Sequence, residues 1–181
     1  QGVGMATGEY ILFLNNDTIV TRNWLVNMLS VFEEDSRIAM IGPVSNNVSG
    51  IQRISVDSST FQASDPVRTE SGGDHFIYAH RLVGFCMLIK HAILEEVGLF
   101  DEQFELGSCE DDDLCYRILE KGYRLAIAKN VYIHHVGHAS FTSNNSDRAK
   151  IQNENLKKLI AKWQINYFPY LDARVRLDSF M

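Results

Sequence analysis

Proline and cysteine are both scarce, at three residues each in 181. Cys86, Cys109 and Cys115 are odd in number and show no CxxC spacing. That argues against a disulfide framework or a zinc ribbon and fits a reducing cytoplasm. No apolar run approaches the length of a membrane span, and no charged-then-apolar leader opens the chain. Basic residues are in deficit, with 17 Lys and Arg against 23 Asp and Glu. A net charge of -6 argues against nucleic-acid binding through a broad basic surface. Internal repeats and low-complexity tracts are absent. Gly2, Gly4 and Gly8 in "GVGMATG" do not form a phosphate loop, because no strand precedes them and no lysine follows.

What is present is a 45% hydrophobic chain long enough for one domain with a sizeable core, residues 1–181, closed by a C-terminal helix and tail over 146–181. "EYILFL" (9–14) reads as a buried strand ending in the turn "NNDT", and "IAMIGPV" (38–44) as a second. Between them Trp24, Leu25, Met28, Leu29 and Phe32 share one helical face. Residues 56–79 lack periodicity and read as a long loop. "LVGFCMLI" (82–89) is a further apolar strand with Gly84 in its middle, where a glycine marks close approach by a ligand or another backbone. Helices follow over 91–98 and 112–121, each stopped by a glycine, then strands "RLAIA" and "VYIHH" and a helix over 147–163. Strands and helices alternate irregularly, which predicts an α/β fold with a mixed sheet flanked by helices. With Gln1 already inside structured-looking sequence, the chain reads as a fragment or processed product.

Three clusters can carry chemistry. Asn15, Asn16 and Asp17 follow a buried strand, where α/β proteins bind ligands, and an Asn and an Asp two apart can offer oxygens to one hard cation. The competing reading is an ordinary turn. Glu110, Asp111, Asp112 and Asp113 crowd a helix start, inside a segment from Glu95 to Glu120 with ten acids and one base, Arg117. One or two serve as caps; an acid among acids in a cleft can act as a general base. His134, His135 and His138 close a strand and suit Mn²⁺ or a similar ion with oxygen co-ligands, with an all-histidine zinc site as rival and a structural role as the bland alternative. Lys90 and Arg117 read as salt-bridge partners beside the acidic segment, with charge offered to a phosphate as the alternative, and Trp24 and Trp163 read as core residues.

In order, "GEYILFLNNDT", "IGPVSNNVSGIQ", "LVGFCMLIK", "VGLFDEQFELGSCEDDDLCYRILEKGYRLAIA" and "IHHVGHASF" resemble the glycosyltransferase family 2 pattern of the GT-A fold, with "NENLKKLIAKW" a looser sixth match. Together they cover most of residues 2–163. The resemblance implies a divalent metal, Mn²⁺ or Mg²⁺, held by Asp17 at the DxD-type position and by His135, with His134 a near rival. It places Asn15 and Asn16 at the donor, and Gly84 and Phe85 on the floor of the sugar and acceptor site. "EDDDLCYR" matches an E-D-x-D-L-x-x-R helix start, with Asp111 the base and Glu110 beside it. The implied reaction is inverting transfer of a sugar from a nucleotide-diphosphate donor to a hydroxyl acceptor. The implied setting is bacterial polysaccharide or glycoconjugate synthesis, in the cytoplasm or against the inner face of its membrane. One departure stands out: the family's N-terminal nucleotide-binding half has no counterpart, so an incomplete GT-A (Rossmann-like) fold is expected, inactive alone and exposing a sheet edge for assembly. The rival readings are a non-catalytic glycan- or partner-binding module and a metal-dependent phosphohydrolase.

Overall fold

The computed structural model describes residues 1–56, 74–105, 108–137 and 145–164. A short helix α1 (Gly2–Met5) precedes strand β1 (Tyr10–Leu14), which the tight turn at Asn16 and Asp17 joins to β2 (Thr18–Val20). Helix α2 (Trp24–Glu34), strand β3 (Ile38–Val44) and strand β4 (Phe76–Ala79) follow. Strand β5 (Cys86–Lys90), helices α3 (His91–Val97) and α4 (Glu110–Glu120), strand β6 (Arg124–His135) and helix α5 (Asn145–Trp163) come next. The sheet runs β1-β5-β3-β6-β2, with β4 also paired to β6. Among these strands only β3 and β6 run parallel and the other described pairs are antiparallel, so the sheet is mixed as expected.

Strand β3 is buried along its whole length, which is why its sequence is a continuous apolar run rather than an alternating one. Its two faces feed two cores. On one side Ile38 and Ile41 pack with Cys86 and Leu88 of β5, Ala126 and Ala128 of β6, and Met28, Val31 and Phe32 of α2. On the other, Ala39 and Met40 meet Met87, Ile89, Leu125 and Ile127, under Ile93 of α3 and Leu114 and Ile118 of α4. Ile38 and Ile41 share a face although three apart because the register with β6 shifts between Ile38 and Met40. Gly42 allows close packing: a methyl group there would lie 2.6 Å from Gln52 Nε2.

Four expectations change. Residues 56–79 are not all loop, since Phe76–Ala79 pairs with β6; residues 57–73 lie outside the described residues. "LVGFCMLI" is strand only from Cys86, and Gly84 sits in the turn before it. "RLAIA" and "VYIHH" are one 12-residue strand whose register against β3 jumps between Ala128 and Tyr132, where Lys129 and Asn130 imitate a loop. The 112–121 helix begins earlier, at Glu110, so Glu110 and Asp111 lie inside its first turn rather than ahead of it. The strand Thr18–Val20 was concealed by turn-like neighbours, and its pairing with β6 places Thr18 opposite His135.

Candidate active site

The turn after β1 and the end of β6 meet because β2 pairs with β6. Val136 N–H donates to the Asp17 carbonyl at 2.9 Å, and His135 Nε2 stands 3.3 Å from Asp17 Oδ1. His135 Nδ1 is 2.8 Å from the Asn47 carbonyl, which can only accept, so Nδ1 carries the proton. In neutral imidazole the Nε2 lone pair then faces a carboxylate oxygen that is buried and has no hydrogen-bond partner. Two acceptors so placed call for a positive charge between them, either a proton on Nε2 or a cation. The donor set, one carboxylate and one imidazole with its second nitrogen tied to a carbonyl, fits a divalent cation such as Mn²⁺ or Mg²⁺. No third His, Cys, Asp or Glu joins them among the described residues.

Asn46 and Asn47 hold this corner, and neither was singled out from sequence. Asn46 Oδ1 accepts from His135 N–H at 2.9 Å and its Nδ2 donates to the His135 carbonyl at 3.2 Å. Phe85, expected on the floor of the sugar site, is buried and stacks against the His135 ring at 5.3 Å and 22°. His134 points elsewhere, with Nδ1 2.9 Å from the Tyr132 hydroxyl. His138 lies outside the described residues.

The other half of the site is a cavity of about 600 Å³ between the β1 end and the α4 start. Asn15, Gly84, Phe13, Phe100, Asp101 and Glu110 are among its lining. Asn15 N–H donates to the Phe85 carbonyl at 2.8 Å, tying the β1 end to the Gly84 turn; Asn16 is exposed. Asp111 lies beneath that turn, its Oδ2 accepting from Gly84 N–H at 2.7 Å and its Oδ1 from Asp112 N–H at 2.9 Å. A Cβ at Gly84 would come within 3.2 Å of Asp111 Cβ and Oδ2, so glycine is what lets the backbone lie on the carboxylate. Gln52, buried and also missed from sequence, fixes the turn's other side: its Oε1 accepts from Val83 N–H at 2.8 Å and its Nε2 donates to the Pro43 carbonyl at 2.8 Å.

The four acids have separate fates. Burial, then the neighbouring Asp112 charge, raise Asp111 to about 7, close to neutrality. Burial also raises Glu110, whose Oε2 has no hydrogen-bond partner. Asp112 pairs with Arg81, which also donates to Ser49 Oγ at 2.7 Å. Asp113, fully buried, takes Arg117 at 2.9 Å, Lys162 at 2.7 Å and Trp163 Nε1–H at 2.8 Å. Asp112 and Asp113 are therefore ion-pair centres and not caps; the N-cap is Cys109, with no side-chain cap bond. Arg117 is the salt-bridge partner expected, and Trp163 packs with Leu159, Phe104 and Tyr116. Lys90 instead donates to the Ser36 carbonyl and lies over the Phe32 ring.

Comparisons with known proteins agree with one another. A profile described as glycosyltransferase like family 2 matches residues 1–154. Pre-mycofactocin glycosyltransferases of two Mycobacterium tuberculosis strains are 27% identical over 129 residues, 68% of this chain. Those residues make up 26% of each relative, so the chain spans about a quarter of their length. Among solved structures, GalNAc-T7 with UDP, GalNAc and Mn²⁺ superposes with a TM-score of 0.57 at 15% identity, covering 96% of this chain and 38% of that one, a likeness of fold. With the mixed α/β sheet and the family match over most of its length, the chain belongs to the glycosyltransferase family 2-like proteins.

Proposed function

We propose that this chain forms the metal- and acceptor-binding end of an inverting glycosyltransferase that uses a nucleotide-diphosphate sugar. The observation that carries the reading is the pairing of two sites across one turn. Asp17 and His135 present an unsatisfied oxygen and an oriented nitrogen on one side; on the other, Glu110 borders a cavity and Asp111 lies beneath the Gly84 turn that lines it. Asp17 and His135 would hold a divalent cation, whose chemistry there would be Lewis-acid neutralisation of the diphosphate leaving group. Asp111, with its pKa near 7, takes the acceptor hydroxyl's proton as that oxygen attacks the anomeric carbon from the face opposite the diphosphate. The C–O bond to the diphosphate breaks as the new one forms, and the anomeric configuration inverts. Glu110 lines the acceptor cavity beside it, and the aromatic rings of Phe13 and Phe100, 4.8 Å apart, offer a sugar an apolar face.

One observation favours a second assignment of the base. Glu110 borders the cavity directly, whereas Asp111 is reached through the Gly84 turn and has both oxygens engaged by backbone N–H groups. Asp111→Asn and Glu110→Gln in the complete enzyme separate the two. The expected loss in kcat for Asp111→Asn is ~10²–10⁴-fold, the usual worth of general-base catalysis. Near-normal turnover by Asp111→Asn, with that loss in Glu110→Gln instead, transfers the role to Glu110.

The nucleotide base and ribose are proposed to bind on a polypeptide segment other than these residues. The β1 edge supports this: among the described residues β1 pairs on one side only, with β5. A strand edge left open in this way is a natural place for a further strand.

A further inference from the structure

Helix α5 lies behind the cavity, and the polar groups on its packed face go to the cavity's wall. Asn155 is 1% exposed, and its Nδ2 donates to the carbonyls of Glu105 at 3.0 Å and Ser108 at 3.2 Å. Lys158 Nζ donates to the Gln103 carbonyl at 2.6 Å. Lys162 Nζ joins Asp101 Oδ2 at 2.8 Å to Asp113 Oδ1 at 2.7 Å. Spacings of three and four residues put these side chains on one helical stripe. Buried Leu159 sits on the same stripe and packs with Phe104 and Cys109. The segment held in this way carries Asp101, Glu102 and Phe104 into the cavity lining.

The same clamp bears on Glu110. Ser108 and Cys109, just before it, have φ of 82° and 75°, a conformation that non-glycine residues adopt only under constraint. That pair sets the direction in which α4 starts and hence where Glu110 lies. Asn155 holds the Ser108 carbonyl, and the cluster around Leu159 buries the Cys109 side chain.

We infer that α5 sets the geometry of the acceptor side of the cavity, with Asn155 and Lys162 acting as positioning residues for Glu110 and for the 101–105 wall. This rests on reading the cavity as the acceptor site. A helix with a purely structural task needs only its apolar stripe; here a buried amide and two ammonium groups are spent on the backbone and side chains of one wall.

The test compares Asn155→Ala, Lys162→Met and Lys162→Arg with the parent chain by amide hydrogen exchange and by ¹³C titration of the Glu110 carboxyl. In the first two variants, exchange at Gly84, Phe104 and Asp112 should quicken at least about tenfold while Ile41 and Leu88 keep their rates. The Glu110 midpoint should fall as water reaches the carboxylate, and Lys162→Arg should return both readouts to parent values. Unchanged exchange and titration overturn the inference. So does uniform acceleration across the sheet, which marks a general loss of stability. In a transferase assay of the complete enzyme, Lys162→Met should raise the acceptor KM about tenfold more than it lowers kcat, through misplacement of the wall. Local exchange changes in a parent that transfers no sugar leave the positioning role standing and sink only the functional reading.

Discussion

Four carboxylates share the first turn of α4, and three of them, Asp111, Asp112 and Asp113, are buried. Leaving that many charges out of water is prohibitive unless each is paired or neutralised. Arg81 answers Asp112, Arg117 and Lys162 answer Asp113, and Asp111 is left to hold its proton until about pH 7. Its folded-state value lies above the ordinary 3.8, so the folded chain binds this proton more tightly than the unfolded chain. The resulting stability is complete below about pH 4 and is lost as pH rises through about 7. On the order of 4 kcal/mol separates an ordinary aspartate from one ionising near pH 7. Asp111→Asn should therefore gain stability relative to the parent between pH 4.5 and 8, read as diverging urea midpoints; parallel midpoints would show that the proton is not coupled to folding. At the other corner, Asp17→Ala and His135→Ala should each weaken Mn²⁺ binding to the chain by at least about tenfold in calorimetry. Asn46→Ala, which frees the His135 backbone, should weaken it less. Equal affinity in all of these variants would remove the corner as a metal site.

Helix α4 is fastened as an element by the Asp113 centre. Arg117 sits one turn after Asp113 and reaches past it to the carbonyls of Val97, Gly98 and Leu99, closing the α3 end onto α4. Removing one partner of a buried pair typically costs about 3–5 kcal/mol, because the other charge is left uncompensated. Lys162 and Trp163 remain on Asp113, so Arg117→Met should fall at or just below the lower end of that range, measured by chemical denaturation. A loss under about 0.5 kcal/mol, the level of an exposed helix pair, would show that Arg117 acts as a surface charge. The elements themselves were largely legible in the sequence: apolar runs mark β1, β3 and β5, and 3.6-residue periodicity marks α2 and α5. The missed strand segments have one cause. β2 is three residues, β4 is four with half its residues exposed, and Lys129 and Asn130 interrupt β6 with polar side chains. Each is a strand because of its partner, and pairing leaves no local periodicity in segments so short.

At the scale of the molecule, the described residues place one sheet between two apolar cores, and the candidate site residues collect at one end of it. The cavity lies at that end, against the C-terminal part of β1, and the chain spans only about a quarter of its curated relatives. If the donor's base and ribose are bound elsewhere, the chain alone should bind UDP with Mn²⁺ only weakly, through the diphosphate. Calorimetry should then show little discrimination between UDP and GDP. Tight, base-selective binding would place a complete donor site within these residues. The order of motifs along the chain was enough to identify the family, because each is anchored to a strand end or helix start that the sequence marks locally. The contacts of individual residues in the site were not readable in that way. Asp17 meets His135, Asp112 meets Arg81 and Asn46 meets the His135 backbone across 118, 31 and 89 residues. From sequence, four adjacent acids are chemically equivalent, and "SNNVSG" is an ordinary turn. Local propensity and hydrophobic pattern dictate where strands and helices form. Which carboxylate faces a cavity, which is ion-paired and which keeps a proton follows from the charges and the burial that distant segments bring to it, and those exist only once the sheet has assembled.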